Sequence, residues 1–300
     1  MNYRLLLLTI PIALLLMACS AEEEAYQDIT DYPNSHLLLE APELAEIMRD
    51  DEILLIDTRG ELTDTLINGA VHFSAISELT DPDHPVEHFL IGPEAFQEKM
   101  RQIGLDNNDR VVLYDDGNSL SAARLFYALD YYGFSNASIL NGGLKSWVAN
   151  GFPVSDSPKT PDQGTFQFEI NEAVSCDISY VMEAADDPNK VIFDARSAAE
   201  FTGDDERSER SGHIPNAVHL EWSSVLADGD IPYFKPAGEI QELFSSRGIT
   251  PDKEVIPHCH TNVRGSHAYF TLRLMGYDSV RPYEGSWSEY GNREDAIIQQ

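Results

Sequence analysis

The sequence predicts an α/β fold built from two copies of one unit, each a mainly parallel sheet flanked by helices. Three observations carry this. First, the chain repeats itself in order: Ile53-Leu54-Leu55-Ile56-Asp57-Thr58-Arg59 is echoed by Val191-Ile192-Phe193-Asp194-Ala195-Arg196, and Ile67-Asn68-Gly69-Ala70-Val71-His72 by Ile214-Pro215-Asn216-Ala217-Val218-His219. Arg110 to Asp115 and Glu254 to Cys259 form a third pair, Asn141-Gly142-Gly143 and Glu284-Gly285-Ser286 a fourth, with offsets of 137, 147, 144 and 143 residues. Second, short apolar runs alternate with helical patterns inside each copy, the signature of layered α/β folds. Third, 300 residues leave room for two domains of roughly 150 each.

The elements follow in chain order. A single positive charge, Arg4, precedes the apolar run LLLLTIPIALLLMA, which stops at Cys19. That is the pattern of a secretory signal, too short for a membrane span. Leu16-Met17-Ala18-Cys19 resembles the bacterial lipobox, in which the Cys is acylated and becomes the mature N-terminus. Residues 1–18 are therefore expected to be a lipoprotein signal peptide, and Cys19 the lipidation site. The residue after it, Ser20, favours the outer membrane, facing the periplasm. Residues 19–35 are polar and acidic and suit a solvated tether. Domain 1 is placed at 36–155, a proline-containing linker at 156–172, and domain 2 at 173–296.

Within the domains, VVLY (111–114) and VIFD (191–194) are continuously apolar over at least three residues, as strands covered on both faces are. Ser121 to Tyr132 has a helical pattern closed by Gly133, and Gly265 to Met275 one closed by Gly276. Glycine just past a helix suits the left-handed cap position.

Composition excludes several functions. The chain has 20 basic and 51 acidic residues, a net charge of −31. Nucleic-acid binding and a polybasic contact with anionic lipid both need the opposite sign. Three cysteines cannot build a disulfide scaffold or an all-cysteine zinc site. No cofactor and no metal are expected.

Ligands of open α/β sheets bind beyond the carboxyl ends of the strands. In the second copy that place holds Cys259-His260-Thr261-Asn262-Val263-Arg264. A thiol there would meet the free amides of a tight loop and the positive end of a helix dipole, and both favour its anion. In the first copy Asp115 occupies the matching place with Asp116 beside it. A carboxylate cannot replace a thiolate nucleophile, so domain 1 is expected to be catalytically inactive, one wall of a cleft. Cys176 is expected to be a packed residue.

Taken together, Asp194-Ala195-Arg196-Ser197, Gly212 to Ala217, the Cys259 loop, Tyr283-Glu284-Gly285-Ser286-Trp287 and their first-copy counterparts resemble the tandem-domain rhodaneses, the thiosulfate and 3-mercaptopyruvate sulfurtransferases. The resemblance spans residues ~36–296, nearly the whole mature chain. It implies two rhodanese-like domains and a nucleophilic Cys259. A small anionic sulfur donor would leave a persulfide on Cys259, and a thiophilic acceptor would remove it. It implies that Arg196 holds the donor's anionic group, with a salt bridge to Asp194 or Glu200 as the other reading. Arg264 would bind donor oxygens or close the loop. His260, Thr261, Asn262 and Val263 would line the donor site, and His88 would face the donor or lie on the surface. Four residues separate Cys259 from Arg264, one fewer than in the related Cys-x5-Arg phosphatases, and the smaller ring suits one sulfur atom. The mercaptopyruvate type usually carries Cys-Gly-Ser-Gly-Val-Thr; Cys-His-Thr-Asn-Val-Arg is closer to thiosulfate-using loops, and no aspartate stands at Ser74 to Ser77. A monomer is expected. The competing function is a non-catalytic lipoprotein that senses sulfur species or binds a partner.

Overall fold

The computed structural model describes residues 32–50 and 52–300. The expected signal peptide, Cys19 and residues 19–31 of the tether lie outside the described residues.

Domain 1 contains strands β1 (Leu38–Leu39), β2 (Leu54–Asp57), β3 (Leu66–Ile67), β4 (Val71–His72), β5 (Val111–Tyr114), β6 (Ala137–Leu140) and β7 (Val154–Ser155). Its helices are α1 (Ala41–Asp50), α2 (Ala75–Glu78), α3 (Pro93–Gln102), α4 (Leu120–Tyr131) and α5 (Gly143–Ala149). Five strands form a parallel sheet in the order β1-β6-β5-β2-β4, and β3 pairs with β7 antiparallel. All four residues of β5 are buried, so the strand carries no polar alternation.

Domain 2 contains α6 (Ile178–Ala184), β8 (Lys190–Asp194), α7 (Ala198–Thr202), β9 (Val218–His219), α8 (Ala237–Ser245), β10 (Glu254–His258), α9 (Val263–Leu274) and α10 (Ser286–Tyr290). Strands run β10-β8-β9, all parallel. Parallel bridges from Val280 to Val255 and from Tyr283 to Cys176 extend the sheet on the far side of β10. The order of domain 1 is thereby repeated.

The two helices expected after the central strands are α4 and α9, each beginning one or two residues earlier than the pattern suggests. Gly133 and Gly276 follow them at φ +85° and +77°, the left-handed cap conformation that glycine adopts without steric cost. These helices also form the domain interface. Phe126 meets Phe270 edge-on at 5.0 Å between ring centres, and Tyr127 meets Tyr269 at 5.7 Å. One apolar cluster runs through the contact into both domains. The linker is not slack: Phe166 is buried, its N–H donates to the Leu105 carbonyl at 2.9 Å, and that of Asn171 to Tyr131 at 2.8 Å.

Candidate active site

Cys259 stands between the end of β10 and the start of α9 and is 1% exposed. Its loop is held from outside. The carbonyls of Cys259 and His260 accept the N–H groups of Trp287 (3.0 Å) and Ser288 (2.8 Å), the first amides of α10. The Cys259 N–H itself reaches Ser286 Oγ at 3.4 Å. A trans peptide sets each N–H opposite its carbonyl, so the amides of His260 and Thr261 face away from α10. The first amides of α9 add donors that no intrahelical acceptor can take.

The inactive loop shows what such amides hold. There Leu144 and Lys145, at the start of α5, donate to the carbonyls of Asp115 (2.8 Å) and Asp116 (3.2 Å) in the same way. The amides of Gly117 (2.9 Å), Ser119 (3.0 Å) and Ser121 (3.1 Å) all converge on the Asp115 carboxylate. Burial pushes that carboxyl's pKa up while the amides pull it down. The first copy fills its loop with a carboxyl side chain; in the second, Cys259 stands at the matching place.

Arg264 lies in the first turn of α9. Its guanidinium donates to both Glu200 oxygens, at 2.6 and 2.8 Å, and is near enough to Cys259 for the two charges to interact. Burial opposes its charge, but these partners hold its pKa above the usual value. Burial likewise opposes the Glu200 charge, yet Arg264 and the Ser197 donors hold that carboxyl well below the usual range. Arg207, half exposed, sits 3.3 Å from the same carboxylate. His260 is buried, with Nε2 3.6 Å from Glu87 of domain 1; burial, then Arg207, lowers its pKa. Thr261 and Val263 are partly exposed at the loop's rim. Asn262 caps α9 at φ +55°, a conformation asparagine tolerates better than most residues, and its amide donates to Glu284 Oε2 at 2.6 Å.

For Arg196 and His88 the structure shows the other reading in each case. Arg196 makes the salt bridge to Asp194. It is 1% exposed and folds back onto Asp194 at 2.9 and 2.6 Å, donates to the Gly212 carbonyl at 2.8 Å, and lies over the Trp287 ring at 4.2 Å. Its Nε and Nη2 are thus committed inside the domain. His88 belongs to the segment of domain 1 that covers the loop, but its ring is tied to Thr80 Oγ1 at 3.0 Å, and its carbonyl accepts from Arg124 at 3.0 Å. Its backbone, rather than its ring, is built into the site. Cys176 lies under the carbonyls of Arg281 and Pro282, and burial raises its pKa.

The residues missed by sequence reasoning are Arg124, Glu284 and Glu87. Arg124 left a signal: it is the one basic residue in α4 and lies among its buried positions, LSAARLFYALDY.

A strand-loop-helix cradle around a buried cysteine, paired with a degenerate copy that holds a carboxylate, defines a two-domain protein with one working site. The rhodanese-like domain model matches residues 40–150 and 177–293, and the chain belongs to that family. Among its relatives, 3-mercaptopyruvate sulfurtransferase of Escherichia coli K12 is 31% identical over 271 residues, covering 85% of this chain and 95% of the relative. Thiosulfate sulfurtransferase of Pseudomonas aeruginosa is 28% identical, covering 88% and 97%. The crystal structure of the 3-mercaptopyruvate enzyme SseA from Escherichia coli superposes with a TM-score of 0.76 at 30% identity, covering 84% of this chain and 98% of that one.

Proposed function

We propose that this sulfurtransferase takes its sulfur from thiosulfate, carries it as a persulfide on Cys259 and hands it to a thiophilic acceptor. The observation that carries the reading is Arg264 in the first turn of α9, five residues past Cys259, its partner Glu200 shared with a half-exposed Arg207. A guanidinium at that point suits the forked oxygens of a sulfonate-like group. The alternative donor is less well served. Ser74 and Ser77, standing where that donor's relatives carry an aspartate, bond to each other at 2.7 Å and supply no carboxylate to a relay.

The steps balance. The Cys259 thiolate attacks the outer sulfur of thiosulfate. The S–S bond of the donor breaks, sulfite leaves with the electron pair, and Cys259–S–S⁻ remains. Its terminal negative charge rests among the loop amides as an oxyanion does in its hole. An acceptor nucleophile such as cyanide then attacks the outer sulfur, and the thiolate is restored.

Mixing the mature protein with thiosulfate and weighing it tests this. The expected result is a gain of one sulfur atom, absent in Cys259→Ser, and thiosulfate turnover well above that with 3-mercaptopyruvate. Persulfide formation with mercaptopyruvate alone would overturn the choice of donor, and no gain with either would overturn the persulfide itself. The same proposal places the enzyme, as a monomer, on the cell envelope. Acylated Cys19 would anchor it to the outer membrane facing the periplasm, because the apolar leader stops at that cysteine.

A further inference from the structure

The domain interface carries a second ion pair besides Arg273 with Asp130, and this one lies beside the Cys259 loop. Arg124 of α4, 1% exposed, donates to Glu284 at 2.7 Å (Nη2–Oε1) and 3.0 Å (Nη1–Oε2). The remaining capacity of both groups is spent on the two sides of the cleft. Glu284 accepts the Leu90 N–H of domain 1 at 2.9 Å and the Asn262 amide of the Cys259 loop at 2.6 Å. Arg124 donates to the His88 carbonyl and faces Ser266 Oγ at 3.5 Å, and that hydroxyl donates to the Asn262 carbonyl at 2.6 Å. Asn262 is thus gripped by side chain and backbone, and the grip begins in domain 1.

The repeat supplies an internal control. The counterparts of Arg124, Glu284 and Asn262, each 143 residues away, are His267, Asn141 and Ser119. One contact is kept: Asn141 accepts the Phe234 N–H at 3.0 Å, as Glu284 accepts that of Leu90. The charges are not kept. Burial lowers the His267 pKa to about 3, and its ring stacks on Phe234 at 5.3 Å. The Ser119 amide turns to Asp115. An apolar contact therefore serves at this position in the half without a nucleophile, where the half with Cys259 has the buried Arg124–Glu284 pair. Such pairs add little net stability over apolar packing; their use is to fix one arrangement.

We propose that Arg124 and Glu284 are positioning residues for the catalytic loop: through them the inactive domain holds Asn262, and with it the Cys259 cradle, in the reactive shape. This rests on Cys259 as the sulfur carrier. The test compares Arg124→Met/Glu284→Met, which removes both charges together, with Asn262→Gly, which keeps the left-handed backbone but drops the amide. Single-turnover persulfide formation from thiosulfate and the alkylation rate of Cys259 by iodoacetamide are measured on each full chain. In both variants kcat should fall by about 10- to 100-fold, the cost of a slightly misplaced reacting group. The KM for thiosulfate should change less than about twofold, since the donor's own contacts remain. Rescue completes it: Glu284→Gln, which keeps an acceptor for Asn262, should retain more activity than Glu284→Met. Folded variants with wild-type kcat and alkylation rate would overturn the proposal. The alkylation arm needs no sulfur donor, so a wild type that forms no persulfide would sink the carrier reading without deciding this one.

Discussion

At the residue scale, the two arginines that end the Asp-x-Arg turns show how one spacing can mislead. In domain 2, Arg196 closes on Asp194; in domain 1, Arg59 closes on Asp57 with Nε at 2.9 Å and Nη2 at 2.5 Å. The same bidentate ring is present whether or not the domain has a nucleophile, so it serves the strand end in both. Asp194 is fully buried. Burial opposes its charge, yet His258 and Arg196 hold its pKa below the usual value. Arg196→Met should therefore strand a buried carboxylate and cost about 3–5 kcal/mol in urea unfolding. The KM for thiosulfate should stay put; a raised KM in a variant of undiminished stability would return Arg196 to the donor site.

At the element scale, the strand-loop-helix unit is the working part, and its sequence legibility has a physical cause. Strands covered on both faces print unbroken apolar runs, and left-handed caps print glycine, so β5, β8, α4 and α9 could be read directly. The Cys259 loop was legible because nucleophile, loop and helix are contiguous. The two readings of Arg196 stayed open because spacing alone cannot show that a side chain turns back two residues. The Arg124–Glu284 pair was invisible because its partners lie 160 residues apart and meet only when α4 packs on α9. The inactive unit allows its own test. Asp115→Ala would leave three buried amides without an acceptor, and each such loss costs roughly 1–3 kcal/mol. Thermal melting should register it while sulfur transfer by the domain 2 loop continues at the wild-type rate; an unchanged melting temperature would mean that those amides are not sealed from water.

At the scale of the whole molecule, a net charge of −31 bears on the anchor proposed at Cys19. Acidic surface is repelled by anionic headgroups, so a folded body of this charge would stand off the bilayer and be retained by its lipid alone. Cys19→Ser should accordingly move the protein from the membrane to the soluble fraction of the envelope; continued pelleting with membranes would refute the anchor. The cover of the two loops is mutual. Domain 1 brings Glu87 and Leu90 onto the Cys259 side, and domain 2 brings Phe234 onto Asn141. Each half closes the other as subunits do across the two-fold axis of an isologous homodimer. A fusion of such subunits needs only one reactive centre, and the surrendered one becomes a permanently tethered chaperone for its twin.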